Sequence, residues 1–301
     1  MKTNSGINGH ILALITIIIW GTTFVSTKYL LIDFEPIEIL FYRFCIGLLL
    51  LLIIYPKRLK GTTKKQELLF AAAGLCGITL YYLLENIALV YTAASNVGVL
   101  VSITPFFTAI LAYWFLDGEK LKKNFVIGFV FAIIGIGLIS FNGSMVLKLN
   151  PLGDILSILA AIVWGFYSVF ARKISQFGYN TIQTTRRIFS YGLVFMIPFL
   201  FIFPFEFEIS KFSQTANILN ILFLGLGASA ICFVTWNLAV KLIGAVKTSV
   251  YIYLIPVITV VTSAIILSER LTWMSILGTI LTLIGLFISE KKGRIIPKKH
   301  K

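Results

Sequence analysis

The chain has 301 residues, 58% of them hydrophobic and only 13% charged, with a mean hydropathy of +0.95. A soluble globular domain carries about a quarter charged residues, so a water-soluble fold is excluded. The net charge of +14 would suit nucleic acid only if basic residues alternated with stacking aromatics on one solvated face; here they gather in short loops and a tail, which excludes that partner.

Mainly apolar runs, each long enough to cross a hydrocarbon core of roughly 30 Å, are predicted at 10–30, 36–55, 68–91, 94–116, 124–142, 152–172, 181–203, 218–240, 245–267 and 272–289. The first is apolar from Ile11 to Val25 with no small-residue cleavage site after it, so it reads as a retained membrane helix rather than a signal peptide. Lys and Arg of short loops stay on the cytoplasmic side. With the amino terminus inside, most of the 26 basic residues fall on that side. They are Lys57 to Lys65 after the second run, Lys120 to Lys123 after the fourth, then Arg172, Lys173, Lys241, Lys247 and the tail from Lys291. Only Lys28, Lys148, Lys211 and Arg270 mark the outer ends. The expected fold is an all-α integral membrane protein of ten transmembrane helices with both termini cytoplasmic. Its basic inner face attracts anionic lipid head groups.

The chain also repeats itself. His10 to Gly21 returns 144 positions later as Asp154 to Gly165, and the same offset carries Lys28 onto Arg172 and Arg43 onto Arg187. At offsets of 150 to 151, Asn86-Ile-Ala matches Asn237-Leu-Ala, Pro105 matches Pro256, Glu119-Lys120-Leu121 matches Glu269-Arg270-Leu271, and Gly128 and Gly135 match Gly278 and Gly285. Five spans per copy make the second copy enter from the opposite side. The expected organisation is two inverted five-helix repeats, 1–145 and 146–301, the pattern of transporters whose halves move around a central site.

Several motifs recur in order in both halves: Trp20 to Lys28 in helix one, Arg43-Phe44 in helix two, Asn86 to Ser95 leading into Pro105, and Asp117 to Leu121 before a Gly-rich fifth helix. Together they resemble the EamA-type transporters of the drug/metabolite transporter superfamily over the whole chain. The resemblance implies a ten-helix bundle with a central cavity lined by helices one, three, four, six, eight and nine. Many relatives export amino acids or other small metabolites.

Glu85 is the acidic residue, of 12, that lies well inside a predicted span. A carboxylate there costs about 3 kcal/mol, so it should face the bundle interior or a wet cavity. Tyr81 and Tyr82, four and three residues earlier, share its helix face. Such a group can hold an amine or quaternary ammonium by charge and cation–π attraction, couple protons, or pair with a neighbouring helix. Trp20 and Trp164 occupy matching mid-helix places that the resemblance puts on opposite cavity walls, with Trp236 and Asn237 as further lining candidates. Arg43 and Arg187 lie roughly 10 Å inside their helices. They can bind a substrate carboxylate, with Arg186 assisting, or cap carbonyls of an adjacent helix; Lys28 and Arg172 read as interfacial anchors. Pro105 and Pro256 free the carbonyls of Val101 and Ile252 and should bend helices four and nine, as hinges or as static bends. The pairs Ala73/Gly77, Gly128/Ala132 and Gly225/Ser229, at four-residue spacing, read as close-packing surfaces.

The deep membrane offers one Glu, no His and no paired acids, which argues against an enzyme, and no phosphate-cradling Gly-rich loop with Lys is present. Cys45, Cys76 and Cys232 fall inside spans and read as packing residues; His10 and His300 cannot assemble a metal site. No cofactor is expected. The expected function is a secondary carrier of the plasma or inner membrane, moving small-molecule substrates by alternating access and exporting amino acids or related amine-bearing solutes. Uptake or facilitated exchange of quaternary amines, and lipid-head-group flipping, are the alternatives. The oligomeric state is left open, a monomer included.

Overall fold

The computed structural model describes residues 2–92, 94–117, 122–141, 150–258, 261 and 273–291. The Glu119-Lys120-Leu121 and Glu269-Arg270-Leu271 repeats, Lys148, His300 and the boundary at 145 lie outside them. Every described element is helical. In chain order they are α1 (Lys2–Leu30), α2 (Pro36–Ile54), α3 (Lys64–Tyr91), α4 (Ala94–Val101 and Thr104–Phe115), α5 (Lys123–Phe141), α6 (Pro151–Ser175), α7 (Thr181–Ile202), α8 (Thr215–Ile243), α9 (Ala245–Ile258) and α10 (Trp273–Glu290). Among the described residues seven helices are long and apolar enough to cross a membrane, and three shorter apolar helices accompany them.

Local chemistry explains where these helices start. Glu35 and Glu38 form a capping box on α2 with Pro36 in the first turn, and Thr63 and Gln66 form one on α3. Asn150 and Asn180 accept the first free amides of α6 and α7, satisfying donors that have no intrahelical acceptor. Gly244, at φ +92°, lets α8 turn directly into α9, a backbone conformation that costs an L side chain energy.

Two helices carry π-helical turns. α3 contains a π-helical stretch at Leu75–Leu80, and α8 contains one at Phe223–Ile231. Both sit at matching places in the repeat, and both carry glycine where another element presses in: a Cβ on Gly77 would enter the Tyr167 ring, and one on Gly225 would lie 2.7 Å from Ile46. Runs of π turns cluster at functional sites, and apolar residues give no periodic signal for them.

Polar contacts reveal direction. Along α1 and α8, Thr16 meets Thr235 at 2.6 Å, the Trp20 indole N–H donates to the Ala228 carbonyl at 2.9 Å, and the Ser26 hydroxyl donates to Asn220 at 2.6 Å, so these helices run antiparallel. α3 and α6 are likewise antiparallel, since Gly77 packs on Tyr167 while Thr92 packs on Gly153. Lys28, ending α1, donates to the carbonyls of Leu89 and Thr92 at the end of α3. Its repeat counterpart Arg172 donates to Val240 and Lys241 at the end of α8, at 3.1 and 3.0 Å. Each cation neutralises free carbonyls at a helix C-terminus, where the macrodipole is negative; the roles expected as interfacial anchors are thus also caps. α5 and α10 pair through small residues. A Cβ on Gly135 would lie 2.5 Å from the Gly278 carbonyl oxygen, and one on Gly285 2.5 Å from the Ala132 nitrogen.

Candidate functional site

Where α1, α3, α4, α6 and α9 converge they enclose a cavity lined by Trp20, Thr23, Phe24, Tyr81, Tyr82, Glu85, Val101, Thr104, Trp164, Ile252 and Ile255. Its volume is about 20 Å³, room for about one or two waters. Its walls are aromatic. Trp20 and Trp164 meet edge-on at 5.2 Å between ring centroids, Tyr81 lies 4.6 Å from Trp164, and Tyr82 lies 4.8 Å from Tyr81. Glu85 is the carboxylate in this wall, 5% exposed, in contact with the Tyr81 hydroxyl one turn earlier and facing the charge of Arg43.

Arg43 stands behind Tyr82, with its guanidinium 4.4 Å from the ring centroid and its Nε donating to the Ser229 hydroxyl at 3.0 Å. It is 1% exposed, and its Nη2 has no hydrogen-bond partner among the described residues. A buried cation held mainly by an aromatic face and one hydroxyl is costly unless an anionic charge lies close by; Glu85 supplies that charge. Its repeat counterpart has a different fate. Arg187 is partly exposed and pairs with Glu67 at 3.1 Å, while Arg186 caps the carbonyls of Tyr55 and Lys57. Glu38, near the start of α2, is also fully buried, but it is matched by Lys211 at 3.0 Å.

Two expected lining residues lie elsewhere. Trp236, the counterpart of Glu85, is fully buried behind the cavity, covered by Trp20 at 5.0 Å and Trp164 at 6.2 Å. Asn237 lines a second, smaller cavity of about 10 Å³ with Ala171, Ser175, Thr181, Thr184 and Lys241. The physical reason is that the repeat is equivalent in sequence while the two ends of the bundle are packed differently. Sequence reasoning did not single out Tyr167 or Phe233. Tyr167 follows Trp164 by three residues and Phe233 precedes Trp236 by three, a helical spacing that places each pair on one face.

The prolines interrupt their helices. α4 breaks at Ser102 and Ile103, so Pro105 occupies the first turn of its second segment, where a missing N–H leaves nothing unpaired. The Val101 carbonyl accepts the Thr104 hydroxyl at 2.6 Å. α9 narrows to a 3₁₀ turn at Tyr251–Tyr253 just before Pro256, and the Ile252 carbonyl accepts a backbone N–H there. Both breaks adjoin the cavity, since Val101, Thr104, Ile252 and Ile255 line it.

Comparison with known proteins agrees with this architecture. The pattern of the EamA-like transporter family matches residues 7–141 and again 151–290. An uncharacterized transporter of Archaeoglobus fulgidus is 26% identical over 288 residues, covering 94% of this chain and 97% of its own. The uncharacterized transporter YyaM of Bacillus subtilis is 27% identical, with 96% and 95% covered. A probable terminal-alkyne amino-acid exporter of Streptantibioticus cattleyicolor is 25% identical, with 92% of each covered. A solved crystal structure shares the fold at a TM-score of 0.76 and 17% identity, covering 96% of this chain and 97% of that one. This multi-pass membrane protein belongs to the EamA-like transporter family.

Proposed function

We propose that the chain is a secondary carrier of the plasma or inner membrane that exports amino acids or related amine-bearing solutes by alternating access. In this reading ten transmembrane helices form two inverted repeats, 1–145 and 146–301, with both termini cytoplasmic. The antiparallel packing of α1 on α8 and of α3 on α6 supports the inversion, and the α5–α10 pair supports counting the shorter helices as crossings. The observation that carries the substrate class is Glu85 in the wall of an aromatic cavity: a carboxylate among indole and phenol faces suits an ammonium group. The similarity to a probable terminal-alkyne amino-acid exporter points the same way. Because the cavity is smaller than any amino acid, the Trp20 and Trp164 walls must separate to admit one, as a carrier with two conformations requires.

Purified protein in liposomes preloaded with single amino acids or small amines should show saturable counterflow of the radiolabelled compound. Flux that rises linearly with concentration, or none with any compound, overturns the carrier reading. Topology has its own test. Cysteines replacing Lys60, in the basic α2–α3 loop, and Ser213, in the α7–α8 loop, should react with an impermeant maleimide from the cytoplasmic and the outer face respectively. The reverse pattern overturns the orientation, and labelling of both from one face overturns the helix count.

A further inference from the structure

Three buried side chains form one hydrogen-bonded chain across α6, α7 and α8. The Tyr167 hydroxyl donates to Asn237 Oδ1 at 2.7 Å, and Asn237 Nδ2 donates to the Thr185 hydroxyl at 3.0 Å. On one side of this chain lies the central cavity, whose Trp164 ring is 4.8 Å from that of Tyr167. On the other lies the second cavity, lined by Asn237 itself. The two cavities lie at different levels of the bundle. The central one is lined by the C-terminal halves of α1 and α3, and the second lies at the C-terminal ends of α6 and α8, which run the other way.

The repeat counterparts of these residues form no such chain. Tyr167 corresponds to Thr23, which lines the central cavity, and Thr185 to Phe41, which cannot hydrogen-bond. Asn237 corresponds to Asn86, whose amide donates to the Pro36 carbonyl at 3.1 Å while its Oδ1 has no partner among the described residues. The seal also spans the two halves, because the Tyr167 ring lies flat against Gly77 of α3, where a Cβ would enter it. All three hydrogen-bonding residues belong to the second half, so a relative movement of the halves parts Tyr167 from Gly77, while the two hydrogen bonds hold the ring in the position that meets its seat.

From this geometry we infer that Tyr167, Asn237 and Thr185 are the gate between the central site and the cytoplasmic face, and that Gly77 is the seat on which it closes. This rests on the carrier reading and names the barrier in it. The test reads conformation and needs no substrate. A cysteine replacing Ile255, which lines the central cavity, is labelled with an impermeant methanethiosulfonate from each face of oriented vesicles, with labelling of the chain lacking that thiol subtracted. The parent should label faster from the outer face. Tyr167→Phe removes the net hydrogen bond that holds the ring on its Gly77 seat, so labelling from the cytoplasmic face should rise about five-fold and labelling from the outer face should fall. Thr185→Val, which leaves Tyr167 and Gly77 untouched, should act in the same direction, whereas Asn86→Leu should not raise cytoplasmic labelling. Folded Tyr167→Phe and Thr185→Val proteins that label like the parent at both faces overturn the gate while leaving the carrier intact. A parent that labels equally from both faces overturns the carrier reading along with the gate.

Discussion

Replacing Glu85 by Gln should weaken binding of an amine-bearing substrate by about 3 kcal/mol, a loss of roughly two orders of magnitude in affinity. Gln keeps the shape and can still accept from Tyr81, so the change deletes charge alone. The carboxylate sits at 5% exposure in a cavity walled by Trp20, Tyr81, Tyr82 and Trp164, where little water screens it and each charge pair counts for more than at a surface. The measurement is a titration of the compound that shows counterflow, against parent and variant, with a neutral analogue lacking the amine as reference. The neutral analogue should lose little. If the variant binds the amine as the parent does but transport no longer follows a pH gradient, Glu85 carries protons and the substrate contact lies elsewhere. Equal affinity and equal pH dependence remove Glu85 from the mechanism and leave it as the counter-charge of Arg43.

Gly135→Val should damage the fold severely. The added Cβ would stand 2.5 Å from both the Gly278 carbonyl oxygen and the Thr282 hydroxyl, and 2.6 Å from the Thr282 nitrogen. Backbone cannot rotate away as a side chain can, so α5 and α10 must separate, breaking the close packing that holds helices together in lipid. Overpacking of this kind costs about 3 kcal/mol or more. Two residues further along the same helix lies an internal control: Gly137 has nothing within 4 Å of its added Cβ, so Gly137→Val should stay within about 0.5 kcal/mol of the parent. Thermal unfolding of both variants in the same detergent, followed by a probe of helix content, measures the difference. A Gly135→Val protein as stable as Gly137→Val would mean that the α5–α10 contact contributes nothing.

Composition and periodicity alone determine that this chain lives in a membrane, because no packing arrangement can hide so much apolar surface from water. They also determine the duplication, since Trp20-Gly21 and Trp164-Gly165 can be matched letter by letter, and they single out Glu85, since a charge among apolar residues stands out without coordinates. The family follows from the order of these motifs. What only the tertiary structure decides is how equivalent residues come to differ. Arg43 and Arg187 are the same position of the repeat, yet one is buried under Tyr82 and the other pairs with Glu67 at the edge of the bundle. Trp236 and Asn237 match Glu85 and Asn86, yet Trp236 is packed behind the cavity and Asn237 ties Tyr167 to Thr185. The sequence shows what each half carries; the packing around each counterpart sets what it touches, and that is a property of contacts between residues far apart in the chain. The π-helical stretches belong to the same class, for a glycine that admits Tyr167 or Ile46 looks, in sequence, like any other small residue in an apolar helix.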